Sequence, residues 1–278
     1  MTLLQILILA IVQGAAELLP VSSSAHVIVA EKLMGLDPTA PQMTLLLVML
    51  HTGTMFAVIV YFWKSWRAAY FSSMPAFRAT AVQVVIATAL TGVVGLALLR
   101  AIRYLVAGDS PAFEIEHLFG SAKVMAAALA AAGILIIASS RDAKRADGEL
   151  SPGRAAWIGA IQGVCLPFRG FSRSGATISV GLLLGVGRRR AEEFSFALAV
   201  VLTPPVIAKE AYRLVQAMGA SGAGALLHSA APGLLGMVLS FVAGLLALKW
   251  LTRWLEQGRW HFFGVYCLAA APFVLWIG

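Results

Sequence analysis

The chain has 278 residues, 60% hydrophobic and only 12% charged, about half the charged share of an average soluble domain. A water-soluble globule of this size could not cover its surface with so few charges, so the composition points to an integral membrane protein. The net charge of +8 would suit nucleic acid, but Lys and Arg fall in short clusters between apolar segments and no basic face interleaved with aromatics occurs, so no nucleic acid is expected as a partner.

In chain order, residues 3 to 34 form an apolar region broken in its middle by LLPVSSSAH. The opening MTLLQILILAIVQGAAELLP has neither a basic n-region nor a small-residue cleavage site, so it is expected to be retained structure. Segments 43 to 63, 79 to 99 and 118 to 139 are long and apolar enough to span a bilayer. A second broken region, 155 to 187, is interrupted by LPFRGFSRSG, and three more spans follow at 194 to 211, 227 to 250 and 260 to 277. The 21 residues from 43 to 63 rise about 31 Å as a helix, close to a hydrocarbon core. Each half of a broken region is roughly half a bilayer long. Irregular backbone at that depth is tolerated only inside protein or beside a water-filled cavity, so the breaks mark a site. The predicted fold is an all-α polytopic membrane protein with six transmembrane helices plus two re-entrant helix pairs. Cys165 and Cys267 lie far apart in apolar surroundings and are expected to be buried small hydrophobes.

Basic residues orient this arrangement. The connections 64 to 78, 140 to 154, 188 to 193 and 249 to 259 hold 13 of the 21 Lys and Arg, and the opposite set holds 6. The excess places the first set in the cytoplasm and both termini outside. Ala10-Ile11, Gln13-Gly14 and Ser22-Ser23-Ser24 recur as Ala160-Ile161, Gln162-Gly163 and Ser172-Arg173-Ser174, an offset near 150. The expectation is one membrane domain, 1–278, built as an inverted repeat of about 1–139 and about 154–278, with its binding site at the repeat interface.

Gln13 and Glu17 are four apart and share a helix face. A carboxylate at membrane depth costs about 2.5–3.5 kcal/mol on insertion scales, so Glu17 needs a partner, either a structural hydrogen bond or a role as metal ligand or general base. Pro20 stops that helix, and Ser22, Ser23 and Ser24 precede the next apolar run. Those serines are N-cap candidates. One capping and another attacking, with His26 in the first turn, is also the arrangement expected of phosphoryl transfer to an activated hydroxyl. A helix starting there aims its N–H groups and positive dipole end at the break, which favours phosphate. In the second break Ser172, Arg173 and Ser174 repeat the device just before Thr177. Arg173 brings a planar fork suited to two phosphate oxygens, and it also matches Glu17 as an ion-pair partner. His51-Thr52-Gly53-Thr54 is the further polar set expected to support the site.

Gln13-Gly14-Ala15-Ala16-Glu17, Pro20-Val21-Ser22-Ser23-Ser24-Ala25-His26 and Gly170-Phe171-Ser172-Arg173-Ser174-Gly175-Ala176-Thr177 resemble, in order, three motifs of the undecaprenyl-diphosphatase family linked to bacitracin resistance. Leu50-His51-Thr52-Gly53-Thr54 and Phe194-Ser195-Phe196 resemble further family stretches, so the likeness covers nearly the whole chain. The resemblance implies hydrolysis of undecaprenyl diphosphate, a polyprenyl diphosphate lipid substrate, on the outer (periplasmic) face of the bacterial cytoplasmic (inner) membrane. It implies a divalent cation, Mg2+ or Ca2+, held by Glu17 and Gln13. Glu17, Ser23 as nucleophile, His26 and Arg173 would be catalytic; Gln13, Ser22, Ser24, Ser172, Ser174 and Thr177 would bind substrate. Membrane lipid surrounds the site in this picture, and a homodimer is compatible with it. Two departures from the family pattern stand out. Gln13 occupies a position that is often Glu, and Arg169 replaces the usual Pro before the glycine, where it adds a phosphate contact or snorkels. The second motif region is also one residue longer than the pattern.

The inverted repeat also admits a transporter or flippase of polyprenyl phosphate or another anionic substrate. Hydrolysis is the stronger expectation, because a Ser/His/Glu cluster is more than anion binding requires. Lipid phosphatases of the acid-phosphatase type need a further His and Asp after the Ser-Arg pair, and SRSGATISVGLLLG has neither.

Overall fold

A computed structural model describes residues 1–37, 41–107, 121–142, 147–218 and 223–277. The regular elements among the described residues are all helices, apart from an isolated bridge between Gly148 and Val186. The helices are α1 (Leu3–Leu18), α2 (Ser23–Leu33), α3 (Pro41–Tyr70), α4 (Met74–Ala107), α5 (Ala122–Asp142), α6 (Pro152–Cys165), α7 (Arg173–Leu183), α8 (Arg188–Met218), α9 (Ala223–Glu256) and α10 (His261–Ile277).

Five helices, α3, α4, α5, α8 and α9, are long and apolar enough to cross a bilayer, which makes this a multi-pass membrane protein. They run past the predicted spans at most ends. The basic residues Lys64, Arg67, Arg78 and Arg253 lie in these extensions, where an apolar window stops although the backbone stays helical. The start of the predicted 118–139 span lies outside the described residues. The α10 helix is apolar but has 17 residues. Where the sequence places its two breaks, the structure has paired short helices. The 11 residues of α2 and of α7 rise about 16 Å, roughly half a hydrocarbon core.

Lipid tails are as apolar as leucine, so helix association in a membrane rests on close packing, and glycine supplies it here. On α1, Gly14 lies against Ser240, Ala243 and Gly244 of α9; on α6, Gly163 lies against Thr91, Val94 and Gly95 of α4. Every residue of the first group differs by 149 positions from its counterpart in the second, so each short first helix is seated on a long helix from the other half of the chain. Elsewhere α3 packs along α8 and α9, and α5 along α10 and α7. Phe62 of α3 stacks on Phe196 of α8 at 5.3 Å. The buried Trp260 indole donates to Ser139 and Ser179 at 3.1 and 3.2 Å, joining α5 to α7. At the end rich in basic residues, Glu193 accepts from Ser65 and Arg189, and Thr252 donates to Glu192, tying α3, α8 and α9 together.

A methyl group at Gly159 would meet the Ala87 carbonyl oxygen at 2.2 Å, while one at Gly92 meets nothing within 4 Å. Gly159→Ala should therefore part α6 from α4 and cost about 1–3 kcal/mol as overpacking, read as a lowered melting temperature of the detergent-solubilised protein. Gly92→Ala should leave that temperature unchanged or raise it.

Candidate active site

The last turn of α1 and the first turns of α2 and α7 border one cavity of about 690 Å3, within the range of small-molecule sites. Glu17, Ser23 and Ser24 line it from the first break, and Ser172, Arg173 and Ser174 from the second.

Glu17 is where these groups converge. Its Oε1 accepts from Arg173 Nη2 at 2.8 Å, and its Oε2 accepts from the Ser23 hydroxyl at 2.6 Å and from Gln13 Nε2 at 3.3 Å. The Ser23 hydroxyl thus already donates to a carboxylate, the geometry a general base requires. The side chains of Arg173 and Glu17 are 26% and 17% exposed, so the pair is shielded yet reachable from the cavity. His51 of α3 also lines the cavity, with Nε2 3.9 Å from Glu17 Oε2 and Nδ1–H donating to the Leu47 carbonyl at 2.8 Å. The sequence marks His51 only within the His51-Thr52-Gly53-Thr54 set, and a histidine inside an apolar window is the signal for it.

The two helix starts differ. Ser172 caps α7, accepting from Gly175 N–H at 3.2 Å. Ser22, the corresponding residue before α2, makes no side-chain cap; its hydroxyl pairs with Ser24 Oγ at 3.3 Å. The reason is conformational. Ser22 has φ +68°, the one non-glycine with positive φ among the described residues, whereas a capping serine normally holds extended backbone that turns its oxygen onto the N2 or N3 amide. The first-turn N–H groups of α2 are left without a side-chain cap, and a helix N-terminus with free amides is an anion site.

Other expected residues face protein. Ser174 borders the cavity but donates to the Leu19 carbonyl at 3.3 Å, linking α7 to the first break. Thr177 does not line the cavity; it donates to the Arg173 carbonyl at 2.8 Å and meets Ser195 Oγ at 2.6 Å, fixing the turn that carries Arg173. Gln13 is buried and orients Glu17. His26 is not a lining residue, and both its ring nitrogens are engaged elsewhere, Nδ1 with the Ser22 carbonyl at 2.8 Å and Nε2 with the Tyr266 hydroxyl at 2.6 Å. Arg169 and Lys209 add positive charge to the cavity lining.

Among the described residues no three His, Cys, Asp or Glu side chains group as a protein-built metal site. The Gln13 amide nitrogen, not its carbonyl oxygen, faces Glu17, so Glu17 is the carboxylate the cavity offers to a cation. One carboxylate fits a cation of the Mg2+ type, which keeps waters and takes its remaining ligands from substrate phosphates.

A helical membrane bundle that holds a serine hydroxyl on a carboxylate, with an arginine beside both at one cavity, has the groups of a membrane-embedded enzyme. The family profile described as bacitracin resistance protein BacA matches residues 6–273. Undecaprenyl-diphosphatase 2 of Acinetobacter baylyi is 62% identical over 278 residues, covering 99% of this chain and 98% of that protein. Undecaprenyl-diphosphatase of Desulfosudis oleivorans is 33% identical, covering 99% and 98%, and undecaprenyl-diphosphatase 1 of Burkholderia pseudomallei 33%, covering 99% and 96%. The chain belongs to the BacA family.

If Arg173 can exchange Glu17 for a bound anion, inorganic phosphate should raise the melting temperature of the wild type and of Glu17→Gln, and should not raise that of Arg173→Ala. Thermal melts with and without phosphate check this.

Proposed function

We propose that the protein hydrolyses undecaprenyl diphosphate to undecaprenyl phosphate and inorganic phosphate, with Ser23 as nucleophile. The observation that carries the proposal is the hydrogen bond of 2.6 Å from Ser23 to a carboxylate whose other oxygen holds Arg173. The family and the 62% identical undecaprenyl-diphosphatase 2 support the substrate.

The terminal phosphate takes the Arg173 fork and the free amides of the α2 first turn, opening the Arg173–Glu17 pair. Released from the guanidinium, the Glu17 carboxylate is a stronger base for the Ser23 proton. As Glu17 takes that proton, Ser23 Oγ bonds the terminal phosphorus and the bond from phosphorus to the bridging oxygen breaks. Undecaprenyl phosphate departs as an anion. It needs no proton, because the second pKa of a phosphate monoester is about 6. Glu17 then loses its proton to cavity water, takes one from a second water as that oxygen bonds the phosphorus of the phosphoserine, and returns it to Ser23 Oγ as the bond from phosphorus to Oγ breaks and phosphate leaves. Arg173 and the amides stay fixed while charge builds on the phosphoryl oxygens, the electrostatic contribution that dominates phosphoryl transfer. A divalent cation, Mg2+ or Ca2+, would be held by Glu17 together with phosphate oxygens and would add positive charge against the same oxygens.

The proposed membrane arrangement has six spans and two re-entrant pairs in an inverted repeat of about 1–139 and 154–278. Its cavity is open to the outer face of the bacterial cytoplasmic membrane. The short α2 and α7, the matched glycine contacts 149 residues apart and the basic excess on one set of connections support this arrangement.

Purified protein given polyprenyl diphosphate should release one phosphate per lipid, and a chelator should lower the rate. Ser23→Ala and Arg173→Ala should each lower kcat at least about a hundredfold, and acid quenching of the wild type should trap phosphate on the Ser23 peptide. Full activity in Ser23→Ala would remove the covalent scheme. Movement of lipid across vesicles without phosphate release would replace hydrolysis by transport.

A further inference from the structure

Three carbonyls in the turn that carries Ser23 are gripped by side chains. The Leu19 carbonyl accepts from Ser174, the Pro20 carbonyl from the Cys267 thiol at 3.3 Å, and the Ser22 carbonyl from His26 Nδ1 at 2.8 Å. The last grip matters most, because Ser22 holds φ +68°, a conformation that non-glycine residues rarely adopt, and its carbonyl belongs to the peptide plane leading into Ser23. A carbonyl oxygen only accepts, so His26 Nδ1 carries the proton. The neutral ring must then accept at Nε2, and the Tyr266 hydroxyl sits there at 2.6 Å with the two rings 17° from parallel. Tyr266 and Cys267 are consecutive in α10, so one turn of that helix braces the first break from outside the cavity.

We infer that His26 and Tyr266 are positioning residues: Tyr266 fixes the tautomer and angle of the His26 ring, and His26 holds the left-handed Ser22 turn that aims Ser23 at Glu17. The inference rests on the proposed hydrolysis and deepens it. A proton-carrying role is not what this geometry offers, since His26 lies off the cavity lining and the departing phosphate monoester needs no proton. An aromatic ring merely anchored at the membrane interface would explain an exposed Tyr266, but not a hydroxyl on His26 Nε2.

The test is a double-mutant cycle on phosphate release by the full chain in detergent, with kcat and KM measured separately. Tyr266→Phe keeps the ring and should lower kcat about fivefold with KM unchanged, the effect of one lost hydrogen bond. His26→Leu should lower kcat about thirtyfold or more. Asparagine places an amide N–H where His26 Nδ1 sits and cannot pass protons, so His26→Asn should recover kcat to within about tenfold of wild type. Tyr266→Phe should have no further effect in His26→Leu. An inactive wild type would sink the hydrolytic reading itself. With an active wild type, His26→Asn as impaired as His26→Leu would make His26 a proton carrier and overturn the inference. So would a Tyr266→Phe rate equal to wild type, or an unchanged Tyr266→Phe effect in the leucine background.

Discussion

A guanidinium and a carboxylate, each costly to strand in an apolar bundle, meet at 2.8 Å where two helix breaks converge. Insertion scales put either charge alone at about 2.5–3.5 kcal/mol at the bilayer centre, and removing one member of a buried pair costs about 3–5 kcal/mol. The Arg173–Glu17 pair therefore opens readily only when another anion replaces the carboxylate at the guanidinium. That constraint favours an anion over a neutral ligand at the resting site. It also couples binding to chemistry in the proposed reaction, because the arriving phosphate displaces the very carboxylate that must accept the Ser23 proton. The rest of the architecture serves to bring residues 17 and 173 together. Gly14 and Gly163 seat α1 and α6 closely on α9 and α4, and Ser174 ties α7 to the carbonyl of Leu19.

The two breaks use the same backbone device with different side chains. Position 17 holds Glu and position 166, which is 149 later, holds Leu. In the first half Gln13 therefore donates to a carboxylate, and in the second Gln162 turns to Thr91 Oγ1 at 3.0 Å. The second break is also one residue longer from its glutamine to its N-cap, Gln13 to Ser22 against Gln162 to Ser172. The N-cap of α7 is satisfied by its own serine, whereas that of α2 is not. In the proposed reaction the halves divide the labour: base, nucleophile and free amides on one side, a fixed cation on the other.

What could be read from the sequence follows from how few polar residues an apolar chain can hide. Glu17 and Arg173 stood out because charges at membrane depth need partners, and Pro20 with its serines announced a break. Glu17, Arg173 and the three serines share the cavity. The orientation of side chains within the break was not legible. Ser22 is left-handed and uncapped, its carbonyl is held by His26, and the partner of His26 lies 240 positions away. Proximity in sequence placed His26 beside the serines, but at the fourth helical residue of α2 its ring turns toward α10. His51 reaches Glu17 because α3 packs against α1, a tertiary contact with no local signature. The long helices overran their apolar windows because hydropathy reports where lipid is, not where hydrogen bonding stops.

The most direct test is a structure of the protein with a polyprenyl methylene-diphosphonate, whose carbon bridge cannot be cleaved. The terminal phosphorus should lie about 3–3.5 Å from Ser23 Oγ, the near-attack range, with the bridging carbon opposite. The Arg173 guanidinium should be on its oxygens and no longer on Glu17. A diphosphonate bound with the Arg173–Glu17 pair intact, or with Ser23 out of line with the bridge, would contradict the account.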